Sequence, residues 1–236
     1  MPTVSARALA ALPAVPIAVV VAVIVAVVVD PIVGLVVGVL VGVAIASWIL
    51  TSATSAALRA LGAKEIPEGR EPRLESLVES VCAGHGIAEP VTYVVRSDAI
   101  DAAVVGRSDD TKLIVTSGLL DSLDRLETEA VVARELSMFG SGIQAATTLV
   151  ALAPWVGPFG STIRDRVLDD RRLVRADFDA VEVTRYPPAL ASVFERVATS
   201  PAVAHNDRAD HLWMVGSGLG GSQPAATERM DALREL

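Results

Sequence analysis

The chain has few of the residues that build disulfides, nucleic-acid surfaces or metal centres. Cys82 is the only cysteine among 236 residues, which excludes a disulfide within the chain and suits a reducing compartment. The net charge is −8 and the sequence has no basic stripe, so we expect no binding to nucleic acid and no docking on anionic lipid through charge alone. His85, His205 and His211 share no ligand spacing, and we predict no metal and no other cofactor.

Charge is almost absent from a long apolar stretch near the start, where Asp30 is the only charged residue between Leu12 and Leu50. The segments 12–29 and 32–50 each approach the roughly 20 apolar residues that span a bilayer core. Asp30-Pro31 predicts a tight turn between them, because proline disfavours helix at the preceding residue and can open the next helix. The alternative is a cleaved signal peptide, but its apolar region is shorter, about 7–15 residues, and no second span follows it.

This pattern predicts four parts of the chain. They are an N-terminal tail (1–11), two transmembrane helices (12–50) with a turn at 30–31, a polar connector (51–72) and a domain (73–236). Basic residues flank the pair of helices, with Arg7 before it and Arg59, Lys64, Arg70 and Arg73 after it. By the positive-inside rule we expect a multi-pass protein of the inner (plasma) membrane with both termini in the cytoplasm.

Small residues recur at every fourth position in both predicted spans, which places each set on one helix face where backbones approach closely. One interpretation is that the two sets pack against each other within the hairpin. The other is that one set docks a transmembrane helix of another protein. The sets are Ala18, Ala22 and Ala26 in the first span and Gly34, Gly38, Gly42 and Ala46 in the second.

The remainder predicts an α+β domain. "PVTYVVR" and "TKLIVTSGLL" are typical of strands, and "DAAVVG" between them predicts a short edge strand. "RLESLVESVCAGHGI" has helical spacing, and "LLDSLDRLETEAVVAREL" predicts two helices or one broken helix. Residues 136–163 carry no charge but are interrupted by Pro154 and Pro158, so we expect a buried or membrane-skimming segment. Charged helices follow in "STIRDRVLDDRRLVRADFDAVEVT" and "AATERMDALREL".

The order and wording of these segments resemble the membrane-bound M48 metallopeptidases of the HtpX-like group. The similar segments are two N-terminal spans, "YVVRSDAIDAAVVG", "KLIVTSGLLDSL", "LETEAVVAREL", "RADFDAVEVTRYPPALASVFERV" and the closing "GSQPAATERMDALREL". The resemblance implies a transmembrane helical hairpin followed by a mostly helical, zincin-like domain with a small β-sheet. It also implies a zinc peptidase, whose active helix would contain H-E-x-x-H.

The chain departs from that family at the zinc ligands. The two histidines fall at Arg134 and Met138, the third ligand falls at Leu173, and the histidine of the closing segment falls at Gln223. What remains is Glu135, at the position of the general base, and Asp177, at the position of a carboxylate behind the metal. Arginine is permanently cationic, and leucine offers no ligand atom. We therefore predict an inactive pseudo-peptidase.

Two hypotheses describe the altered site. In the first, Arg134 replaces the charge of the metal and pairs with Asp177 and Glu135, because unpaired buried carboxylates are costly. In the second, Arg134 reaches solvent and the pocket has collapsed around Met138 and Leu173.

For function we expect a non-catalytic accessory subunit that binds another membrane protein, for example a multisubunit transporter or a quality-control complex. An extended segment of the partner could add to the edge strand, Ala102, Ala103, Val104 and Val105. The alternatives are a membrane peptidase with an atypical metal site or none, and a membrane domain without a partner.

Overall fold

The computed structural model of the protein describes residues 5–107, 109–138, 142–168, 171–218 and 226–235. Two long apolar helices, α1 (Ala6–Val28) and α2 (Pro31–Leu61), precede the domain. The strands are β1 (Lys64–Glu65), β2 (Val91–Val95), β3 (Ala102–Arg107) and β4 (Asp110–Thr116). The other helices are α3 (Pro72–His85), α4 (Ser117–Ser122), α5 (Arg125–Ser137), α6 (Ile143–Val156), α7 (Gly160–Val167), α8 (Arg171–Thr184), α9 (Pro187–Thr199) and α10 (Ala226–Arg234).

A tight turn joins α1 to α2 where the Asp30-Pro31 pair predicts it. The Asp30 side chain caps α2 by accepting hydrogen bonds from the backbone N of Ile32 at 2.8 Å and of Val33 at 3.4 Å. Pro31 occupies the first helical turn, where its missing N–H is not needed. Both helices are long and apolar enough to cross a membrane.

Both helices extend beyond the predicted bounds. α1 begins at Ala6, inside the predicted tail, and α2 continues through much of the predicted connector until Gly62 ends it with a φ of 68°. Polar residues after position 50 do not stop α2, because hydroxyls such as Thr51 Oγ1 bond back to the helix, here to the Ser47 carbonyl at 2.9 Å. Packing against the domain then stabilises the last turns of α2.

The small residues of the two helices face each other inside the hairpin. A Cβ added to Gly34 would lie 2.5 Å from the Ala22 carbonyl oxygen, and one added to Gly38 would lie 2.5 Å from Ala22 Cβ. At Gly42 the nearest atom would be Ala18 Cβ at 2.9 Å. Only glycine permits this close approach, so the face that could dock another protein's helix is already occupied by α1.

The domain is built on a four-stranded mixed sheet with the order β1-β2-β4-β3. β2 and β4 are parallel, and the outer pairs β1/β2 and β3/β4 are antiparallel. Side chains of β4 alternate between two apolar clusters, with Leu113 and Val115 on one face and Ile114 on the other. The first cluster also contains residues of α3, α5, α9 and α10, and the second contains residues of the end of α2 and of α6.

The three segments after the sheet for which the sequence predicts helices do contain them, and α6 and α9 are additional helices. "LLDSLDRLETEAVVAREL" forms two helices, α4 and α5, which are separated at Leu123 and Asp124. The uncharged segment contains α6, which packs against α1 and α2 through an apolar cluster that includes Leu9, Ile49 and Leu152. α6 therefore joins the membrane hairpin to the domain.

Candidate functional site

The helix that carries the candidate site, α5, starts with a complete capping box. The backbone N of Glu127 donates to the Asp124 side chain, and the Asp124 backbone N donates to the Glu127 carboxylate, both at 2.9 Å. Glu127 also accepts hydrogen bonds from Ser192 and Arg196 of α9. These contacts fix the start of α5, and its second half lies buried in the core.

Arg134 lies on the buried second half of α5 and is only 1% exposed. Its Nε donates to Asp177 Oδ1 at 3.2 Å, and its Nη1 donates to Glu135 Oε1. The first hypothesis for this site, in which Arg134 pairs with both carboxylates, therefore matches the structure. Arg134 does not reach solvent, as the second hypothesis required.

A second buried arginine, Arg229 of α10, holds the same carboxylate. Its Nε donates to Asp177 Oδ2 at 2.7 Å and its Nη2 donates to Asp177 Oδ1 at 2.6 Å, which is the bidentate geometry that arginine favours. Its Nη1 donates to the Met214 carbonyl at 2.7 Å, and its guanidinium lies 4.3 Å above the centre of the Phe194 ring. The sequence analysis did not identify Arg229 as a residue of this site, although Arg229 lies in the closing segment on which the family resemblance partly rests.

These four residues, Arg134, Glu135, Asp177 and Arg229, form what we call the arginine–carboxylate cluster. Two guanidinium groups face two carboxyl groups, so the formal charges balance inside the core. Burial acts to lower the pKa of Arg134, but the charges and hydrogen bonds of Glu135 and Asp177 raise it above its ordinary value. Burial lowers the pKa of Arg229, against the opposing effect of Asp177. The cluster supplies internal cations at the place where the family resemblance implies a metal.

Apolar side chains stand at the two other positions to which the family resemblance assigns ligands. Met138 and Leu173 pack together in a small buried cluster with Val104, Ile143 and Ala176. This part of the second hypothesis, a pocket closed around Met138 and Leu173, agrees with the structure. The position of Gln223 lies outside the described residues.

The residues at these positions do not fit a zinc ion. Zinc needs three or four nitrogen, sulfur or oxygen ligands, and only Glu135 and Asp177 offer ligand oxygens here. Both carboxylates already accept hydrogen bonds from a buried guanidinium. A dication at this place would meet Arg134 at close range. Within the ranges that the structure describes, no group of three or more His, Cys, Asp and Glu residues could hold a metal ion.

A third buried carboxyl group, Asp101, ties the closing part of the chain to the sheet. Its oxygens accept hydrogen bonds from the backbone N of Ala102 at 2.8 Å, Val215 at 3.2 Å and Gly216 at 2.8 Å. Burial raises the pKa of Asp101 to about 7, because the three N–H groups offset only part of the desolvation and Glu135 adds a nearby negative charge. Sequence analysis did not single out this residue, because two of its three donors, Val215 and Gly216, lie more than a hundred positions away.

β3 is at the end of the sheet, where "DAAVVG" predicts an edge strand, but the edge is not open. Ala102 to Val105 are buried. The Met214 backbone N donates to the Ala102 carbonyl at 2.7 Å, and Ala103 forms an isolated antiparallel bridge with Trp213. A partner segment would have to displace this part of the chain. The expectation of an open edge at β3 is therefore wrong, and binding of a partner by strand addition there stays a prediction.

The two histidines whose surroundings are described, His205 and His211, differ in burial. His211 is buried, and its Nε2 lies 3.0 Å from the Ala146 carbonyl oxygen, to which it can donate. Burial lowers its pKa to about 3, so the ring is neutral. His205 is exposed and lies 2.6 Å from Asp207 through Nε2. Each of these two histidines contacts another group of the protein through Nε2.

Comparison with known proteins finds the same family as the sequence resemblance. Residues 68–151 match the profile of Peptidase family M48. The chain is 27% identical to a "Protease HtpX homolog" of Dictyoglomus thermophilum, over 76% of this chain and 74% of the relative. It is 25% identical to proteins of the same name from Salinibacter ruber, over 78% and 81% of the two chains, and from Tropheryma whipplei, over 74% and 76%.

One sequence-based prediction is overturned by this comparison. The prediction of an inactive pseudo-peptidase is wrong, because the similar curated proteins are named proteases and point to a peptidase family. The expected architecture, two apolar helices before a mostly helical domain with a small sheet, is confirmed. Residues 68–151 are thus similar to Peptidase family M48, and the relatives support a likeness of the chain to the HtpX-like group.

Proposed function

We propose that this chain is a membrane-anchored HtpX-like protein whose domain binds a second membrane protein close to the bilayer surface. The observation that carries this proposal is the continuity of α2. Its first half is apolar and, apart from the glycine face covered by α1, exposed, whereas its second half contributes side chains to the domain core. A helix of 31 residues is about 46 Å long, which exceeds the bilayer core of about 30 Å. The remaining turns lie in the domain.

This arrangement supports a fixed height and orientation of the domain above the membrane. Ala57 and Leu61 of α2 are buried with residues of β3 and β4, and Ile49 is buried against α6. A rigid connection of this kind favours the binding of polypeptide segments that leave the bilayer nearby. The domain is already held close to such segments, so little entropy is lost when they bind. We place both termini in the cytoplasm, from the basic residues that flank the hairpin.

The partner's contacts belong to surfaces other than the glycine face of α2, because α1 already covers that face. The outer faces of the hairpin are rich in exposed valine, for example Val23 and Val39. We propose that these faces and the membrane-proximal part of the domain meet the partner.

Photo-crosslinking in native membranes tests this proposal. The full-length chain would carry a photoreactive residue at an exposed position near the bilayer, and the cross-linked partner would be identified by mass spectrometry. A short flexible insertion after Trp48 should abolish the cross-link, because it frees the domain from its fixed height. The same insertion in the exposed turn at Glu68 and Gly69 is the control and should leave the cross-link unchanged. An unaffected cross-link in the first variant contradicts the proposal.

Peptide-bond hydrolysis is the second candidate, and the printed names of the relatives favour it. Because the arginine–carboxylate cluster does not fit zinc, such an activity would use another centre in this chain. Purified protein in nanodiscs would be incubated with an unfolded protein substrate, with and without a chelator. Loss of cleavage on Glu135→Gln, together with stoichiometric zinc in the wild-type protein, would show that our account of the cluster is wrong.

A further inference from the structure

The domain end of the hairpin can be located from the length of α2. Trp48 is 17 residues after Pro31, which corresponds to about 26 Å of helix. The turn at Pro31 and the Trp48 ring are therefore separated by nearly the thickness of the hydrocarbon core. Trp48 is 58% exposed, as expected for a tryptophan in the interfacial belt of a membrane protein.

Residues of the domain lie at the same level. The ring of Trp155, in the last turn of α6, packs edge-on against Trp48 with 6.4 Å between the ring centres. Phe159 follows in a 3-10 turn (Gly157–Phe159) and is 69% exposed. These three aromatic rings continue the apolar surface of the hairpin onto the domain, and we therefore expect the end of α6 to contact the bilayer interface.

A cleft of about 570 Å³ opens directly beside this aromatic surface. It lies between α6, α7 and the segment 207–211. Its apolar wall is formed by Leu152, Val156 and Ile163, and its charged wall contains Arg164, Arg208 and Asp207. Val156 follows Trp155 directly, so the apolar wall begins at the membrane interface.

Two arginines of the charged wall have side-chain nitrogens from which no described residue accepts a hydrogen bond. Arg164 Nε donates to Asp165 at 3.2 Å, and no described residue accepts a hydrogen bond from its terminal nitrogens. The Arg208 side chain also makes no hydrogen bond to the part of the chain that the structure describes. Asp207, the one acid among the described residues of the wall, lies within hydrogen-bond distance of His205 at 2.6 Å. His211 at the back of the cleft is neutral.

We infer that this cleft binds the headgroup of an anionic phospholipid, with its phosphate on Arg164 and Arg208 and the start of its acyl chains along Leu152 and Val156. Two guanidinium groups suit a phosphate, and the apolar wall faces the side on which the bilayer lies. The inference goes beyond the proposed function and rests on the membrane placement of the hairpin, not on a partner protein. Because the chain as a whole has a net charge of −8, the attraction for an anionic headgroup comes from the arginines of the cleft and not from the overall charge.

Native mass spectrometry of the full-length protein tests this inference. The protein would be released from nanodiscs that contain equal amounts of phosphatidylglycerol and phosphatidylcholine. We expect the wild-type protein to retain phosphatidylglycerol preferentially. Arg164→Gln and Arg208→Gln should each lower this retention about fivefold, the effect of one basic residue at an anionic membrane surface. Arg70→Gln changes an exposed arginine away from the cleft and should have no effect.

Each further outcome decides the inference. Arg208 is exposed, so its substitution leaves the fold intact and serves if Arg164→Gln unfolds the domain. Equal retention of the two lipids, or retention that does not respond to either cleft variant, overturns the inference. Displacement of the lipid by millimolar inorganic phosphate would indicate a site for free phosphate instead. A photoreactive residue at Ala153 that captures a polypeptide, and not lipid, would assign the cleft to a protein.

Discussion

Asp177 of α8 accepts hydrogen bonds from two buried arginines on two other helices. Arg134 of α5 donates to Oδ1, while Arg229 of α10 donates to both oxygens. One carboxylate thus joins three helices that are distant in sequence. A single buried acid between two guanidinium groups is balanced only with the help of Glu135, which pairs with Arg134.

We expect Asp177→Asn to destabilise the protein by about 3–5 kcal/mol, because the change leaves two buried guanidinium groups with one carboxylate. Denaturant unfolding in detergent would measure the loss. Asp179→Asn on the same helix is the control, since Asp179 is exposed and its change should stay within about 0.5 kcal/mol. Equal stability of the two variants would contradict the burial of the cluster.

Arg134→Met should also cost about 3–5 kcal/mol, because Glu135 then lies in the core without its partner. The double variant Arg134→Met, Glu135→Gln should be more stable than the sum of the single changes predicts, by about 0.5–3 kcal/mol. A double-mutant cycle on the unfolding free energies gives this coupling. Strict additivity would show that the two side chains do not interact.

Asp101 should make stability depend on pH. Its pKa is raised to about 7 in the folded protein, against an ordinary value of 3.8, so the folded state binds the extra proton. The contribution of Asp101 to the free energy of unfolding is therefore highest below about pH 4. It falls by about 1.4 kcal/mol per pH unit between about pH 4 and pH 7. Unfolding measured across this range should lose that slope in Asp101→Asn and keep it in the control Asp98→Asn, an exposed acid of the same loop.

Gly38→Val should separate the two apolar helices. An added Cβ lies 2.5 Å from Ala22 Cβ and 2.8 Å from the Ala18 carbonyl oxygen, and the backbone cannot move away without opening the hairpin. Overpacking of this kind costs about 1–3 kcal/mol. The thermal midpoint in micelles and cysteine cross-linking between α1 and α2 would both fall. Val39→Leu adds volume on the exposed face and should change neither.

The three tryptophans should respond differently to brominated lipid. Trp48 and Trp155 lie exposed at the proposed membrane interface, whereas Trp213 is 4% exposed inside the domain. Fluorescence of the variant that keeps only Trp213 should therefore be unquenched, and variants that keep Trp48 or Trp155 should be quenched by shallow bromine labels. Quenching of Trp213 would place the domain differently with respect to the bilayer.

Local patterns in the sequence were sufficient for some elements of the fold, but not for β1, α6 or α9. The Asp30-Pro31 turn, the strands β2, β3 and β4 and the break between α4 and α5 depend on neighbouring residues, so each could be predicted from its own segment. The bounds of α2 could not, because the turns after Leu50 are stabilised by contacts with the domain. Inactivity was inferred from single positions, and the names of the relatives correct it.

The sequence by itself determined the two apolar helices and the α+β class, and the family resemblance implied that Arg134, Met138 and Leu173 stand at ligand positions. Only the tertiary structure decided what these three side chains contact. It brings Arg229 and Asp177 to Arg134 from segments 43 to 95 positions away, closes β3 with Trp213 and Met214, and sets Trp155 beside Trp48. The physical reason is that a buried charge or an unpaired strand edge is stabilised by whichever groups the fold places nearby, and sequence distance carries no information about that.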